Sequence, residues 1–172
     1  MFTKGSYVVY KAEGVCVVSD VRAERFNALD KETYFYILSP LKEPKSLIYV
    51  PVDNKELTSM MRPPLLEAEI YSLAEELCEE RIELFPESRL RSAQLREILG
   101  RGDRRELIVL INTLVDFMDT AKQRGKKLGV TEINACNRAS RLLVEEFSLN
   151  SDIDSAEKLL AVISGKEKCL FK

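Results

Sequence analysis

The sequence predicts an α+β protein: a small N-terminal β-barrel followed by a compact C-terminal bundle of about five helices. Three observations carry the prediction. The first sixty residues hold short runs rich in valine, tyrosine and isoleucine, punctuated by turn residues. Beyond Arg62-Pro63-Pro64 apolar residues recur at helical spacing instead. The 172 residues are 45% hydrophobic and 31% charged, a globular balance and enough chain for two small cores without cross-links. The units are expected at residues 1–60 and 65–165.

The strands come first. Tyr7-Val8-Val9-Tyr10 follows Gly5 and leads to a turn at Glu13-Gly14. Val15-Cys16-Val17-Val18 continues toward Val21, with Ser19 and Asp20 interrupting the apolar run. Thr33 to Leu38 is aromatic and β-branched, and Ser39-Pro40 ends it in a hairpin loop. Leu47 to Val52 is the next strand, and Pro51 places it on a sheet edge or at its own end. So few short strands cannot build a large sandwich, and a strongly curved SH3- or Tudor-like barrel is the economical closure.

The helices follow. Leu66, Ile70, Leu73 and Leu77 mark the first, which is expected to run until Pro86 stops it. A second starts at Glu87 or Ser88, passes through Leu95 and Leu99, and breaks at Gly100 and Gly102. Asp103 is placed to N-cap a third, with Leu107, Leu110, Ile111, Leu114, Val115 and Met118 as its apolar face. Its longest apolar stretch, Leu107–Val115, is interrupted by Asn112 and Thr113. Gly125 ends it, and Lys122, Arg124, Lys126 and Lys127 suit the negative end of the helix dipole. Thr131 caps a fourth helix and Asp152 or Asp154 a short fifth in this reading.

Composition narrows the function. The chain has no histidine, which removes the commonest general base and metal ligand, so no catalytic residues, cofactor or metal are expected. Cys16, Cys78, Cys136 and Cys169 form no CxxC pair, and neither a disulfide framework nor a zinc ribbon is supported. Glu75-Glu76 and Glu79-Glu80 read as a solvated helix face, and Gly100-Arg101-Gly102 as a helix break rather than a phosphate loop. The opening Met-Phe-Thr-Lys-Gly-Ser shows no signal peptide and no apolar run is long enough for a membrane, so a soluble internal protein is expected; a monomer in solution is a separate expectation.

Net charge is −2, but its distribution is uneven. Residues 61–80 carry −5, residues 81–105 carry +3 and residues 119–141 carry +4. Arg81, Arg89, Arg91, Arg96, Arg101, Arg104 and Arg105 cluster around the second helix. Guanidinium groups suit phosphate contact, while Glu87, Glu97 and Glu106 are equally well placed to absorb several of them in intrahelical pairs. Tyr49, large and amphipathic on an edge strand, is a candidate anchor for another protein's sheet. The residues themselves define a β-barrel plus helical bundle suited to an adaptor.

In order along the chain, several patterns resemble the CarD/CdnL family of bacterial RNA polymerase-binding regulators. Phe2-Thr3-Lys4-Gly5-Ser6-Tyr7-Val8-Val9-Tyr10 is similar to the family's opening, and Gly14-Val15 to its next glycine turn. Tyr34–Leu38 looks like the third strand, and Tyr49-Val50-Pro51-Val52-Asp53-Asn54 resembles its Val-Pro-x-Asp/Glu-Asn stretch. Gly102-Asp103 and the Leu128, Glu132 pair resemble the steps that open two of its helices. The resemblance implies a Tudor-like domain that binds the polymerase β subunit through Tyr49, Val50 and Pro51, with Arg25 nearby. It implies a helical domain on promoter DNA, backbone and minor groove, at the upstream edge of the bubble, where it stabilises the open complex. Arg89, Arg91 and Arg138 are its expected DNA contacts. Members commonly carry a tryptophan wedge before the second helix. This chain has no tryptophan, and Phe85 stands in that neighbourhood, either as a wedge or as the last core residue of the first helix. Tyr49 also stands where some relatives have arginine, and Ile133 where many have lysine. The other reading is a polymerase-tethered adaptor without DNA contact. Both place the protein in the bacterial cytoplasm, on the nucleoid through polymerase.

Overall fold

The structure, a computed structural model, describes residues 1–25, 32–125 and 129–163. It divides into two compact units, Met1–Pro64 and Leu65–Lys172.

The first unit is an antiparallel sheet of β1 (Tyr7–Tyr10), β2 (Val15–Glu24), β3 (Thr33–Pro40), β4 (Ile48–Pro51) and β5 (Met61–Arg62), in the order β4-β3-β2-β1-β5. The turn after β1 is a single 3-10 turn, Lys11–Glu13, closed by Gly14 at φ 76°, a conformation that favours glycine. β2 runs farther than its apolar residues suggest. The register passes from Val18↔Leu38 to Asp20↔Ile37, so Ser19 is the extra residue of a bulge and pairing resumes beyond it.

After β4, helix α1 (Lys55–Ser59) is capped by the Asn54 side chain, which accepts from Leu57 N at 3.0 Å. α1 packs on both β4 and β5, the two end strands. Five helical residues advance only about 7.5 Å, so the sheet curls until its edges approach one helix. Val8, Cys16, Val18, Leu38 and Val50 are fully buried inside that curl.

The second unit holds α2 (Glu67–Leu77), α3 (Ser88–Arg101), α4 (Arg104–Gln123), α5 (Val130–Phe147) and α6 (Ala156–Ile163). α4 is the central helix and packs on α2, α3 and α5. Leu107, Ile108, Leu110, Ile111 and Leu114 are all within 1% of complete burial, so its middle is covered on more than one face. Asp103 caps it as expected, its carboxylate accepting from Arg105 N and Glu106 N. Gly102, at φ 62°, ends α3 in the left-handed conformation.

α2 ends nine residues before Pro86, a correction to the expected boundary. Glu79 and Glu80 would crowd carboxylates against the negative end of the helix dipole. The chain instead leaves the helix and runs alongside α4, which satisfies its backbone. Asn112 Nδ2 donates to Leu77 O at 3.0 Å, and Ile82 N donates to Thr113 Oγ1 at 3.0 Å. The two polar residues that interrupt the apolar stretch of α4 are therefore its buried partners for this segment. The fourth helix begins a step earlier than the Thr131 cap, with Gly129 as its N-cap. Lys126, Lys127, Leu128 and Cys169 lie outside the described residues.

Candidate functional site

β4 is a terminal strand of the sheet, hydrogen-bonded along β3 with Tyr36↔Val50 and Ile37↔Tyr49. Val52 N donates to Tyr34 O at 2.9 Å, and alternation turns the backbone groups of Tyr49 and Pro51 away from β3. Tyr49 is partly exposed, and its ring meets Phe35 edge to face at 6.0 Å between centroids. Val50, expected beside it as a polymerase contact, has a side chain that is 0% exposed and belongs to the core. Its contribution to any partner contact is confined to its backbone. Arg25 is exposed just past the end of β2, with no ion pair among the described residues.

In the helical unit most of the arginine cluster is paired internally. Arg101 bridges Glu97 at 2.6 Å and Glu106 at 2.8 Å. Arg105 forms a bidentate pair with Glu76, whose carboxyl is held below its ordinary range chiefly by that hydrogen bonding. Arg81 reaches Asp116 at 2.6 Å and donates to the carbonyls of Cys78 and Glu80. Arg104 meets the buried Glu146 at 3.1 Å.

Arg91 is the correction that matters most. Its side chain is 14% exposed, and its Nε donates at 2.6 Å to Glu132, itself buried on α5. Its Nη1 donates to Phe85 O at 2.8 Å and Pro86 O at 2.9 Å, and its guanidinium lies 5.4 Å from the Phe117 ring centroid. A group so enclosed is a clamp between α3, α5 and the segment before α3, and not a phosphate contact. Gly129 completes the clamp. A Cβ there would fall 1.9 Å from Glu132 Oε2, so only glycine leaves room for the carboxylate that Arg91 holds.

The clamp explains Phe85. It is 50% exposed, so it is not a core residue of α2, and its backbone is fixed at both ends. Phe85 N donates to Gln94 Oε1 at 3.3 Å while Arg91 takes its carbonyl; Gln94 Nε2 also donates to Glu83 O at 2.8 Å. Arg89 and Arg96 on α3 and Arg138 and Arg141 on α5 have no ion pair among the described residues, and Arg89 and Arg138 are exposed. The structure thus brings Arg91 and Phe85 together and leaves Arg89 and Arg138 on the surfaces of two helices that pack on each other.

Cys16 and Cys136 are buried thiols outside any disulfide, and burial pushes the Cys136 thiol up, away from the reactive thiolate. Among the described residues there is no cluster of three or more potential metal ligands, and no helix is long and apolar enough to cross a membrane.

The first unit is therefore a small antiparallel β domain that presents an edge strand, the architecture of a protein-interaction module. Residues 2–64 match the family profile described as the CarD-like/TRCF RID domain. The match spans the N-terminal unit and is to the RNA polymerase-interacting domain of CarD-like proteins. No curated protein gives a significant match to the chain.

Proposed function

We propose that the protein regulates transcription initiation, gripping the RNA polymerase β subunit with its N-terminal unit and touching promoter DNA with its helical unit. The match of residues 2–64 to an RNA polymerase-interacting domain is the observation that carries this reading. Tyr49 on the edge strand β4 is the side-chain anchor, Pro51 ends the strand, and Arg25 adds charge at the end of β2. In the helical unit Arg89 and Arg138 contact phosphates, and the braced, half-exposed Phe85 wedges at the upstream edge of the bubble, stabilising the open complex. The protein acts as a monomer, without cofactor, in the bacterial cytoplasm.

Replacing Arg89 and Arg138 with alanine shortens the lifetime of the polymerase–promoter complex and flattens its salt dependence, by about 0.9 in slope for each phosphate no longer neutralised. An unchanged lifetime and slope would remove the DNA half of the proposal.

A second reading, a polymerase-tethered adaptor without DNA contact, draws on the internal pairing of Arg81, Arg91, Arg101, Arg104 and Arg105. Footprinting separates the two: protection upstream of the bubble beyond that of polymerase alone rules out the adaptor.

A further inference from the structure

Phe117 continues the buried side of α4, seven positions after Leu110 and three after Leu114, yet it is 38% exposed although large and aromatic. It shares a cavity of about 550 Å³ with Phe85, between residues 81–86 and the C-terminal half of α4. That volume lies within the range of about 300–1,000 Å³ typical of small-ligand pockets. Ile82, Leu84, Pro86 and Ala121 complete its apolar lining. The aromatic pair is preorganised: Arg91 lies against Phe117 and holds the backbone of Phe85 by its carbonyl, while Glu132 holds Arg91.

The charges at the cavity do not cancel. Arg81 is matched by Asp116 and Arg91 by Glu132, but Arg124 lines the cavity with no ion pair among the described residues. An occupant that fits both features presents a flat π-face to the phenylalanines and a negative charge to Arg124. A nucleotide does so with its base and its phosphate, and base–aromatic stacking is tolerant of base identity. A base inside a duplex has both faces covered, so the occupant must be unstacked.

We propose that this cavity takes one unstacked base of a single DNA strand, seated against Phe85 and Phe117 with its phosphate at Arg124. The inference rests on the reading that the helical unit contacts promoter DNA, and it adds that the strand contacted is unpaired there. It also makes Phe117 and Arg124 binding residues, neither of which the sequence singled out for DNA.

The test titrates the full chain with a thymidine single strand of about 12 nucleotides, within the ~4–16 nucleotides that single-strand-binding folds occupy. One central 2-aminopurine reports stacking by its fluorescence, and the matching duplex is the comparison. The expected result is quenching with the single strand and weaker binding to the duplex. Phe117→Leu should weaken single-strand binding at least about fivefold, the lower end of aromatic–base stacking, and abolish the quenching. Arg124→Gln, a surface change that leaves the fold intact, should weaken binding and lower the salt slope by about 0.7. Thermal unfolding and polymerase retention should stay at wild-type levels in both variants.

Single-strand binding that neither substitution alters would overturn the cavity assignment. If single strands do not bind but the polymerase complex keeps its upstream footprint, the cavity proposal falls alone. If both are missing, the DNA reading falls with it. Loss of polymerase retention in Phe117→Leu with unchanged DNA binding would assign the cavity to a protein side chain and overturn the nucleotide.

Discussion

Arg89 and Arg91 stand two positions apart on α3 in opposite surroundings, the first exposed and the second enclosed. Arg91 is enclosed against Glu132, so removing either partner leaves a buried charge unmatched. Arg91→Ala or Glu132→Ala should cost about 3–5 kcal/mol in chemical denaturation, whereas Arg89→Ala should stay within about 0.5 kcal/mol. Gly129→Ala should act through the same clamp, since its Cβ would displace the Glu132 carboxylate. A decrease of about 1–3 kcal/mol in stability is expected there, more than the few tenths that separate residues at an ordinary helix start. The sequence displays the arginine cluster but not which members are consumed, because Arg91 and Glu132 are 41 positions apart and meet only through the packing of α3 on α5. Phe117 leaves no signal of its own, because seven positions after Leu110 and three after Leu114 it reads as one more apolar residue of α4. Glu132 looks like an ordinary helix-opening residue, and nothing local in the sequence shows that it is buried.

At the scale of elements, β4 carries two neighbouring residues whose surroundings diverge. Val50 faces the core and Tyr49 the outside, as strand alternation requires. Val50→Ala should therefore cost about 2 kcal/mol of stability, from the buried methyl groups it removes. Tyr49→Ala should lower polymerase affinity at least about tenfold, as removal of an interface anchor does, with a smaller effect on stability. A single side-chain contact made by Tyr49, Val50 and Pro51 together does not fit that alternation. The longer elements are legible because they have a period: α3, α4 and α5 follow their apolar spacing, and Asp103 and Gly102 mark their boundaries. α1 and β5 are not, since five and two residues are too few for any period to register. Pro86 does not mark the end of α2, because charge against the helix dipole and the side chains of α4 have already drawn the chain away.

At the scale of the whole molecule, the division between a strand-rich and a helix-rich half is written in composition, and the N-terminal half carries the family match. The formal charge of residues 61–80 opposes that of residues 81–105, and much of the difference is neutralised within the helical unit, as the Glu76–Arg105 pair illustrates. What remains for a polyanion is a small set of exposed arginines, so DNA contact by this chain alone should be weak, with a salt slope of only about 0.9 for each phosphate neutralised. In the proposed mechanism, tethering to polymerase compensates by raising the local concentration of the helical unit at the promoter. The polymerase grip is thus the function on which the rest depends. The measurement that tests it most directly is retention of purified bacterial RNA polymerase by the immobilised full chain, beside its Tyr49→Ala variant and residues 1–64 alone. Retention by the full chain and by residues 1–64, with a clear decrease in Tyr49→Ala, is the predicted result. No retention by the full chain would contradict the account, leaving a polymerase-interacting fold without its partner.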